Sequence, residues 1–264
     1  MRTLLTFAFR YLYAAASCIY LFGGGCLSRK HRPLLWEICR HFAPAKEAGR
    51  GVPKADLSEL IHDSMCIQVC EPHAVDGNVS HFETVVIDQL VVARAPRKVF
   101  EIGTFDGRTT LNITMNCRDG ATVYTLDLPR DRMDSTALPL ASDAGGFEDR
   151  AFIDKPVSGA RFLGTDAEKQ IVQLVGDSAT FDYSPYEGGI DFVFVDGSHS
   201  YEYVMNDSRA AIRLLREGKG IVLWHDYHVW EGVTRALDEL HARGGTFAGM
   251  RQIKGTSLVV LCVE

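Results

Sequence analysis

A glycine-containing turn between an apolar run and a helix-compatible segment is the feature that most constrains this chain. Residues 99–102 are followed by Gly103-x-x-x-Gly107, and a second run, residues 122–126, ends in Asp127. A strand, a glycine turn, a helix and a second strand that ends in a carboxylate make a nucleotide site in an open parallel sheet. The glycines let the backbone approach a ligand, and Asp127 would accept hydrogen bonds from both hydroxyls of a ribose. The sequence therefore predicts a cofactor that contains adenosine.

The same turn also indicates which adenosine-containing cofactor the chain would bind. A pyrophosphate-binding turn uses G-x-G-x-x-G, so that free N–H groups at the helix N-terminus face the phosphates. Here Phe105 occupies the position of the middle glycine, and Glu101 precedes the turn. A carboxylate there would repel a pyrophosphate and suits a cationic ligand such as S-adenosylmethionine. The alternative is a β–α–β unit whose glycines serve only tight packing, because short glycine motifs have many false positives.

Composition sets the broad class. A chain of 264 residues fits one sizeable domain plus an appendage. The formal net charge of −6 leaves no basic footprint, which argues against nucleic acid as a partner. The seven cysteines are odd in number, and most lie in apolar segments, which is typical of reduced cysteines in a cytosolic protein. Cys66-x-x-x-Cys70 has no matching pair of ligands nearby, so a zinc site has little support.

The N-terminal segment leaves several alternatives open. Residues 11–28 carry no charge, which just reaches the length of a membrane-span candidate, but three tyrosines and the glycine triplet 23–25 argue against a span. The segment could pack on the domain or on a second subunit, or associate with a membrane. A cleaved secretory signal fits badly, because S-adenosylmethionine is made and used in the cytosol. If the segment does insert into a membrane, the basic cluster 29–32 would keep the following domain on the cytoplasmic side. We expect a cytoplasmic homo-oligomer, with membrane association through residues 1–28 as the open alternative.

The chain divides into an appendage, residues 1–55, and a larger domain, residues 56–264. Ser80 is a plausible helix N-cap, and Glu83 completes a capping box with it. Residues 130–162 are rich in Asp, Gly and Pro and leave from the cofactor end of the second strand. Loops of that length are usually functional or mobile, so we expect a lid or a substrate loop.

The remaining patterns alternate between strand and helix. They predict an α/β fold with a doubly wound, mostly parallel, seven-stranded Rossmann-like sheet whose last strand is antiparallel. That last strand belongs to a hairpin of residues 246–253 and 257–263. Asp207 is expected to face water on its helix. The other clear strands run over residues 98–102, 122–127, 190–195 and 221–224, with helices over 107–117, 201–216 and 230–243.

Ionisable residues stand at the carboxyl ends of the predicted strands. Ligands bind beyond these ends in an open α/β sheet, so we expect the side chains to converge in one crevice. Chance alone rarely places an acid at every strand end. The residues are Glu101, Asp127, Asp177, Asp196, His225 and Asp226.

With this pattern the chain resembles the class I S-adenosylmethionine-dependent methyltransferases. More narrowly it resembles the cation-dependent O-methyltransferases related to the catechol and caffeoyl-CoA enzymes. Within them it is similar to the bacterial branch of macrolide-sugar and aminocoumarin-sugar methyltransferases and cephalosporin-hydroxylase-like proteins. The resemblance covers roughly residues 78–264 and is carried by residues 101–107, 124–129, 176–178, 196–201 and 224–227.

The resemblance implies S-adenosylmethionine as cofactor and assigns its contacts. The turn that begins at Glu101 would approach the cofactor, Asp127 would hold the ribose, and Asp177 with Ser178 would lie along the adenine. The expected cofactor-binding residues are Glu101, Gly103, Thr104, Gly107, Asp127, Leu128, Asp177, Ser178 and Asp196.

The resemblance also implies a divalent-cation site at Asp196 and Asp226 and a general base, His199, and we add His225 as a third candidate metal residue. A cation bound to a hydroxyl lowers its pKa, and an imidazole that titrates near neutrality can take the proton. His199 could instead cap a helix or support a neighbour. His225 stands where relatives often carry an acid. Either it points away and Mg²⁺ binds through the two aspartates and waters, or it is a ligand and a softer metal such as Mn²⁺ is used.

The leading hypothesis is a divalent-metal-assisted O-methyltransferase that acts on a hydroxyl of a sugar or secondary metabolite. Two alternatives stay open: a nicotinamide-dependent oxidoreductase, and a non-catalytic, membrane-tethered cofactor-binding or scaffold protein. The missing middle glycine and Glu101 argue against the first. Asp196, His199 and Asp226 together argue against the second, because a site without activity would tolerate their loss. The sequence does not identify the acceptor molecule beyond a small-molecule or glycan hydroxyl.

Overall fold

The chain forms two compact units, residues 1–49 and 50–264. In the first unit, helix α1 (Arg2–Gly23) leads into a 3₁₀ turn, Gly25–Leu27. Among the described helices none is long and apolar enough to cross a bilayer. The predicted basic cluster lies partly outside the described residues, at Arg29 and Lys30. The computed structural model describes residues 2–28, 31–32, 34–35, 38, 51–61, 65–142 and 148–264.

The second unit is built on one eight-stranded sheet. Its strands are β1 (Lys54–Ala55), β2 (Lys98–Ile102), β3 (Thr122–Asp127), β4 (Ile171–Val175), β5 (Phe192–Val195), β6 (Gly220–Trp224), β7 (Arg251–Ile253) and β8 (Val259–Val263). Their order is β1-β7-β8-β6-β5-β2-β3-β4. All pairs are parallel except those of β8 with β6 and β7. The predicted mostly parallel Rossmann-like fold with an antiparallel last strand is confirmed. The eighth strand, β1, lies in the segment expected to belong to the appendage.

Helices cover both faces of this sheet, as the alternating pattern predicts. They are α2 (His81–Arg94), α3 (Arg108–Asn116), α4 (Arg150–Ile153), α5 (Tyr201–Leu214) and α6 (Glu231–Arg243). Further 3₁₀ turns span Leu57–Glu59, Arg130–Arg132, Asp166–Gln170, Arg216–Gly218 and Gly245–Gly249.

Two local predictions are wrong. The strand expected over residues 246–253 begins only at Arg251, because Gly244 and Gly245 adopt φ of +72° and +60° and turn the chain into a 3₁₀ helix. Asp207 does not face water: it is 1% exposed, and burial raises its pKa to about 7. Helix α5 packs against both β5 and α6, so that part of its polar side is covered.

The central strands place the site. β5 and most of β6 are continuous buried apolar runs, as strands covered on both faces require. Backbone hydrogen bonds continue one residue beyond the strand ends: Asp196 donates to the Ile102 carbonyl at 2.8 Å, and His225 donates to the Val195 carbonyl at 3.1 Å. The residues that follow β5 and β6 are therefore held side by side at the carboxyl edge of the sheet.

Candidate active site

The glycine turn after β2 packs directly on the end of β5. Gly103 has φ +104°, and a Cβ there would lie 2.0 Å from the Asp196 carbonyl oxygen. Gly107, with φ +85°, is the N-cap of α3, and a Cβ there would lie 2.6 Å from the Phe162 ring. Phe105, between them, also has positive φ, +49°. Both glycines are required by backbone conformation and by the close approach of neighbouring atoms.

Glu101 lies beneath this turn and is fully buried. Its Oε2 accepts hydrogen bonds from the hydroxyls of Thr110 and Thr125, while Oε1 has no partner among the described residues. Burial raises the pKa of this carboxyl to about 8, and the two threonine hydroxyls only partly offset that effect. The orphaned oxygen fits a donor supplied by a ligand. A direct contact of Glu101 with the cofactor stays a prediction.

Asp127 ends β3 next to the long segment of residues 130–162. Its Oδ2 lies 2.8 Å from Lys155 Nζ and accepts a hydrogen bond of 2.5 Å from the Ser158 hydroxyl. Both contacts fall on the same carboxylate oxygen and hold the side chain in place. The expected ribose contact stays a prediction, and it would use the other oxygen, Oδ1.

Asp177 follows β4 and is also held by the long segment. Its Oδ2 accepts from the Ala137 backbone N–H at 2.7 Å, and its Oδ1 accepts from the Tyr203 hydroxyl at 2.8 Å. Ser178 offers its carbonyl to Asn206 at 3.2 Å. Two other predicted cofactor residues lie beside the strand ends: Thr104 is buried and bonds Thr125 at 2.7 Å, and Leu128 is half-buried.

The predicted metal residues come together. One ligand atom each from Asp196, His225 and Asp226 lies within 4.8 Å of the others. His225 Nδ1 is 3.0 Å from Asp196 Oδ1 and 3.4 Å from Asp226 Oδ1, so the ring does not point away. Asp226 has φ +64°, a left-handed conformation that an aspartate adopts more easily than most residues and that marks strain at functional sites.

His199 lies at the edge of this cluster. Its Nε2 is 2.9 Å from Asp226 Oδ2, and its Nδ1 is 2.6 Å from Asp149 Oδ1. Its ring stacks on Trp230 with centroids 4.3 Å apart and 12° between the planes. Burial alone would lower the pKa of His199, but Asp149 and Asp226 outweigh it and raise this pKa to about 10. The two carboxylates therefore favour the protonated His199 ring in the absence of a cation.

The sequence does not predict that two further residues belong to this site. Asp149, from the long segment, is 3% exposed and accepts from Ser198, Ala141 and His199. Glu83 is 6% exposed and lies 3.4 Å from His225 Nε2. Only Glu83 has a signal in the sequence, its spacing from Ser80. The structure forms that capping box, but the box explains the contact of the Glu83 carboxylate with Ser80 and not its contact with His225.

Comparisons with known proteins agree with this geometry. Residues 100–227 match a family model described as a methyltransferase domain. This segment of the chain is a methyltransferase domain. It spans the glycine turn, the ends of β3 to β6 and the metal cluster, and the resemblance to the class I S-adenosylmethionine-dependent methyltransferases is confirmed.

Individual proteins that resemble this chain are distant from it in sequence. The caffeoyl-CoA O-methyltransferase of Stellaria longipes is 29% identical over 144 residues, which are 54% of this chain and 51% of that protein. The chain thus spans about half the length of this curated relative. The fold is also similar to the O-methyltransferase TomG of Streptomyces achromogenes, involved in tomaymycin synthesis and solved with S-adenosylmethionine (18% identity, 72% of this chain and 83% of that chain, TM-score 0.48). A Bacillus cereus O-methyltransferase solved with S-adenosylhomocysteine gives 15% identity, 72% and 84% coverage and a TM-score of 0.47.

Replacement of Asp127 tests the cofactor site. Asp127→Asn should weaken binding of S-adenosylhomocysteine by about 1–3 kcal/mol, because the ribose hydroxyls lose a charged acceptor. Calorimetry on the full chain measures this loss. Asp131→Asn, an exposed neighbour, is the matched control, and Lys155→Met removes the ion pair while keeping the acceptor. Unchanged affinity in Asp127→Asn would take Asp127 out of this role.

Proposed function

We propose that the protein transfers the methyl group of S-adenosylmethionine to a hydroxyl of a sugar or secondary metabolite, assisted by a divalent cation at Asp196, His225 and Asp226. The observation that carries this proposal is the convergence of two carboxylates and two imidazoles at the ends of neighbouring strands. The methyltransferase domain supports the cofactor. A nicotinamide-dependent oxidoreductase is disfavoured by the same domain and by the turn without a middle glycine.

The cluster has the chemistry of a cation site. His225 Nδ1 and Asp196 Oδ1 lie 3.0 Å apart, close enough for both atoms to hold one cation. Four carboxylates, of Glu83, Asp149, Asp196 and Asp226, face only two histidines here. The excess negative charge in a largely buried place favours a cation. A nitrogen among the donors favours Mn²⁺, Fe²⁺, Co²⁺ or Zn²⁺ over Mg²⁺.

The residues of the chain would bind and orient the reactants. Asp127 would accept from the ribose, and Asp196 with Asp226 would hold the cation. When bound, a divalent cation lowers the pKa of a hydroxyl beside it and, by like-charge repulsion, that of the His199 imidazolium. His199 Nε2, which already points into the cluster, would take the acceptor proton. Methyl transfer itself requires mainly that oxygen, methyl and sulfur are aligned.

Loss of Asp226 tests the metal. Asp226→Asn keeps a side chain that tolerates positive φ but removes a charged ligand, so Mn²⁺ affinity should fall by more than tenfold, about 1.4 kcal/mol. S-adenosylhomocysteine should bind as before, because its predicted contacts lie elsewhere. Calorimetry with each ligand measures both effects, and Asp119→Asn, on an exposed turn, is the control.

Mass spectrometry of methyl transfer to a panel of hydroxylated glycans and metabolites, with and without a chelator, completes the test. Full turnover in excess chelator would overturn the metal-assisted mechanism.

Replacement of His199 tests the base. His199→Ala should lose about a hundredfold in kcat, as expected for a missing general base, while cofactor binding stays intact. His241→Ala, near the end of α6, is the control histidine. Single-turnover methyl transfer measures the rate, and a wild-type rate in His199→Ala would assign the residue to support of Asp226 alone.

We further propose that α1 and the basic residues after it associate with an anionic membrane surface on the cytoplasmic side. Among the side chains of α1 that the structure describes, residues 6–23, eight large apolar ones are exposed, six of them aromatic. Residues 1–36 contain five Arg and Lys and no Asp or Glu, in a chain of net charge −6. Apolar and aromatic side chains combined with basic charge are typical of segments that lie at lipid surfaces. The competing occupant is a second copy of the chain.

Vesicle binding tests this surface. The full chain should co-sediment with phosphatidylcholine–phosphatidylserine vesicles, less so at high salt, because each basic residue contributes about 1 kcal/mol near an anionic surface. Replacement of Arg29, Lys30 and Arg32 by Gln should weaken binding. The same change at Arg118, Arg132 and Lys219, exposed in the second unit, should have little effect. A dimer in ultracentrifugation without vesicle binding would instead assign α1 to subunit contact.

A further inference from the structure

Glu83 joins three parts of the chain that are distant in sequence. It stands in the first turn of α2, where its Oε2 accepts from the Ser80 backbone N–H at 2.9 Å and closes the capping box. Its Oε1 accepts from the backbone N–H and the hydroxyl of Ser257, both at 2.7 Å. Its Oε2 also lies 3.4 Å from His225 Nε2. A cap alone needs only the contacts with Ser80.

These contacts favour one tautomer of His225 once its Nδ1 has given up a proton. Among the described residues, every partner of the Glu83 carboxylate other than His225 is a donor, so the carboxylate acts as an acceptor, and His225 Nε2 faces it as a donor. A neutral imidazole with hydrogen on Nε2 has its lone pair on Nδ1. Without a cation, Nδ1 carries hydrogen toward Asp196 Oδ1 and Asp226 Oδ1, and a bound cation would take the place of that hydrogen.

We propose that Glu83 is a positioning residue that fixes the ring and the tautomer of His225, so that Nδ1 is available as a nitrogen ligand in the cation site. A carboxylate that accepts from the distal nitrogen of a metal-binding histidine strengthens that ligand and selects its orientation. The arrangement explains how a histidine can occupy this position beside Asp226 and why a metal that accepts nitrogen is favoured. The inference rests on the proposed cation site.

Cobalt binding tests this inference without any acceptor. Co²⁺ has visible absorption bands that change when a nitrogen ligand is lost, so one titration of the full chain yields both affinity and ligand identity. Glu83→Gln should weaken Co²⁺ binding by about 10–100-fold and alter the bands, because a carboxamide cannot accept at all of these contacts. Glu83→Asp keeps the charge but shortens the reach, and it should also weaken binding. Glu59→Gln, from the capping box of Asp56 and Glu59, is the matched control and should change neither.

A double-mutant cycle separates positioning from a general effect on folding. In a His225→Ala background, Glu83→Gln should cause little further loss of Co²⁺ affinity, because it acts through the missing ring. Equal losses in both backgrounds would show that Glu83 only stabilises the fold. Wild-type affinity and bands in Glu83→Gln would overturn the inference while leaving the cation site intact. Failure of the wild-type chain to bind Co²⁺ or Mn²⁺ would instead overturn the proposed cation site.

Discussion

The site depends on hydrogen bonds that extend past the ends of three neighbouring strands. Gly103 donates to the Leu126 carbonyl, Asp196 to the Ile102 carbonyl, and His225 to the Val195 carbonyl. These bonds continue the register of β2, β5 and β6 by one residue, so that polar side chains emerge together at one edge. This edge is closely packed: a Cβ at Gly103 would lie only 2.0 Å from the Asp196 carbonyl oxygen. A shift of any of these strands by one residue would turn the following side chain away from the cluster.

The pKa values of the acids and histidines at this edge of the sheet follow from how close together they lie. Burial raises the pKa of a lone carboxyl, as at Glu101, but the carboxyls that face histidines behave in the opposite way. The pKa of Asp226 and that of Glu83 lie well below their usual values, because His225 and hydrogen-bond donors outweigh the desolvation. The pKa of His225 is raised well above its usual value, because Asp226 and Asp196 outweigh its burial. The histidines and acids thus hold each other charged in the absence of a cation, and a cation would replace protons as the compensating charge.

Much of this could be predicted because it follows from periodicity and strand ends. The apolar runs of β5 and β6 predict buried parallel strands, and the acids after them, Asp196 and Asp226, must then share an edge. Glu83 could not be placed, because 142 residues separate it from His225 and its capping-box spacing has a sufficient local explanation. Asp149 lies in a segment without periodicity, and only tertiary structure brings it to His199. The strand predicted over residues 246–253 is too long because Gly244 and Gly245 both take positive φ, which the sequence pattern alone does not show.

The segment of residues 130–162 links the two halves of the site. At the cofactor half, Lys155 and Ser158 hold Asp127. At the other half, Asp149 holds His199. A displacement of this one segment would therefore loosen both the expected ribose acceptor and the expected base. The lid stays a prediction, and an opening motion of this segment would have to break these contacts. If the cofactor contacts Asp127 as predicted, it would act on the same segment that holds His199.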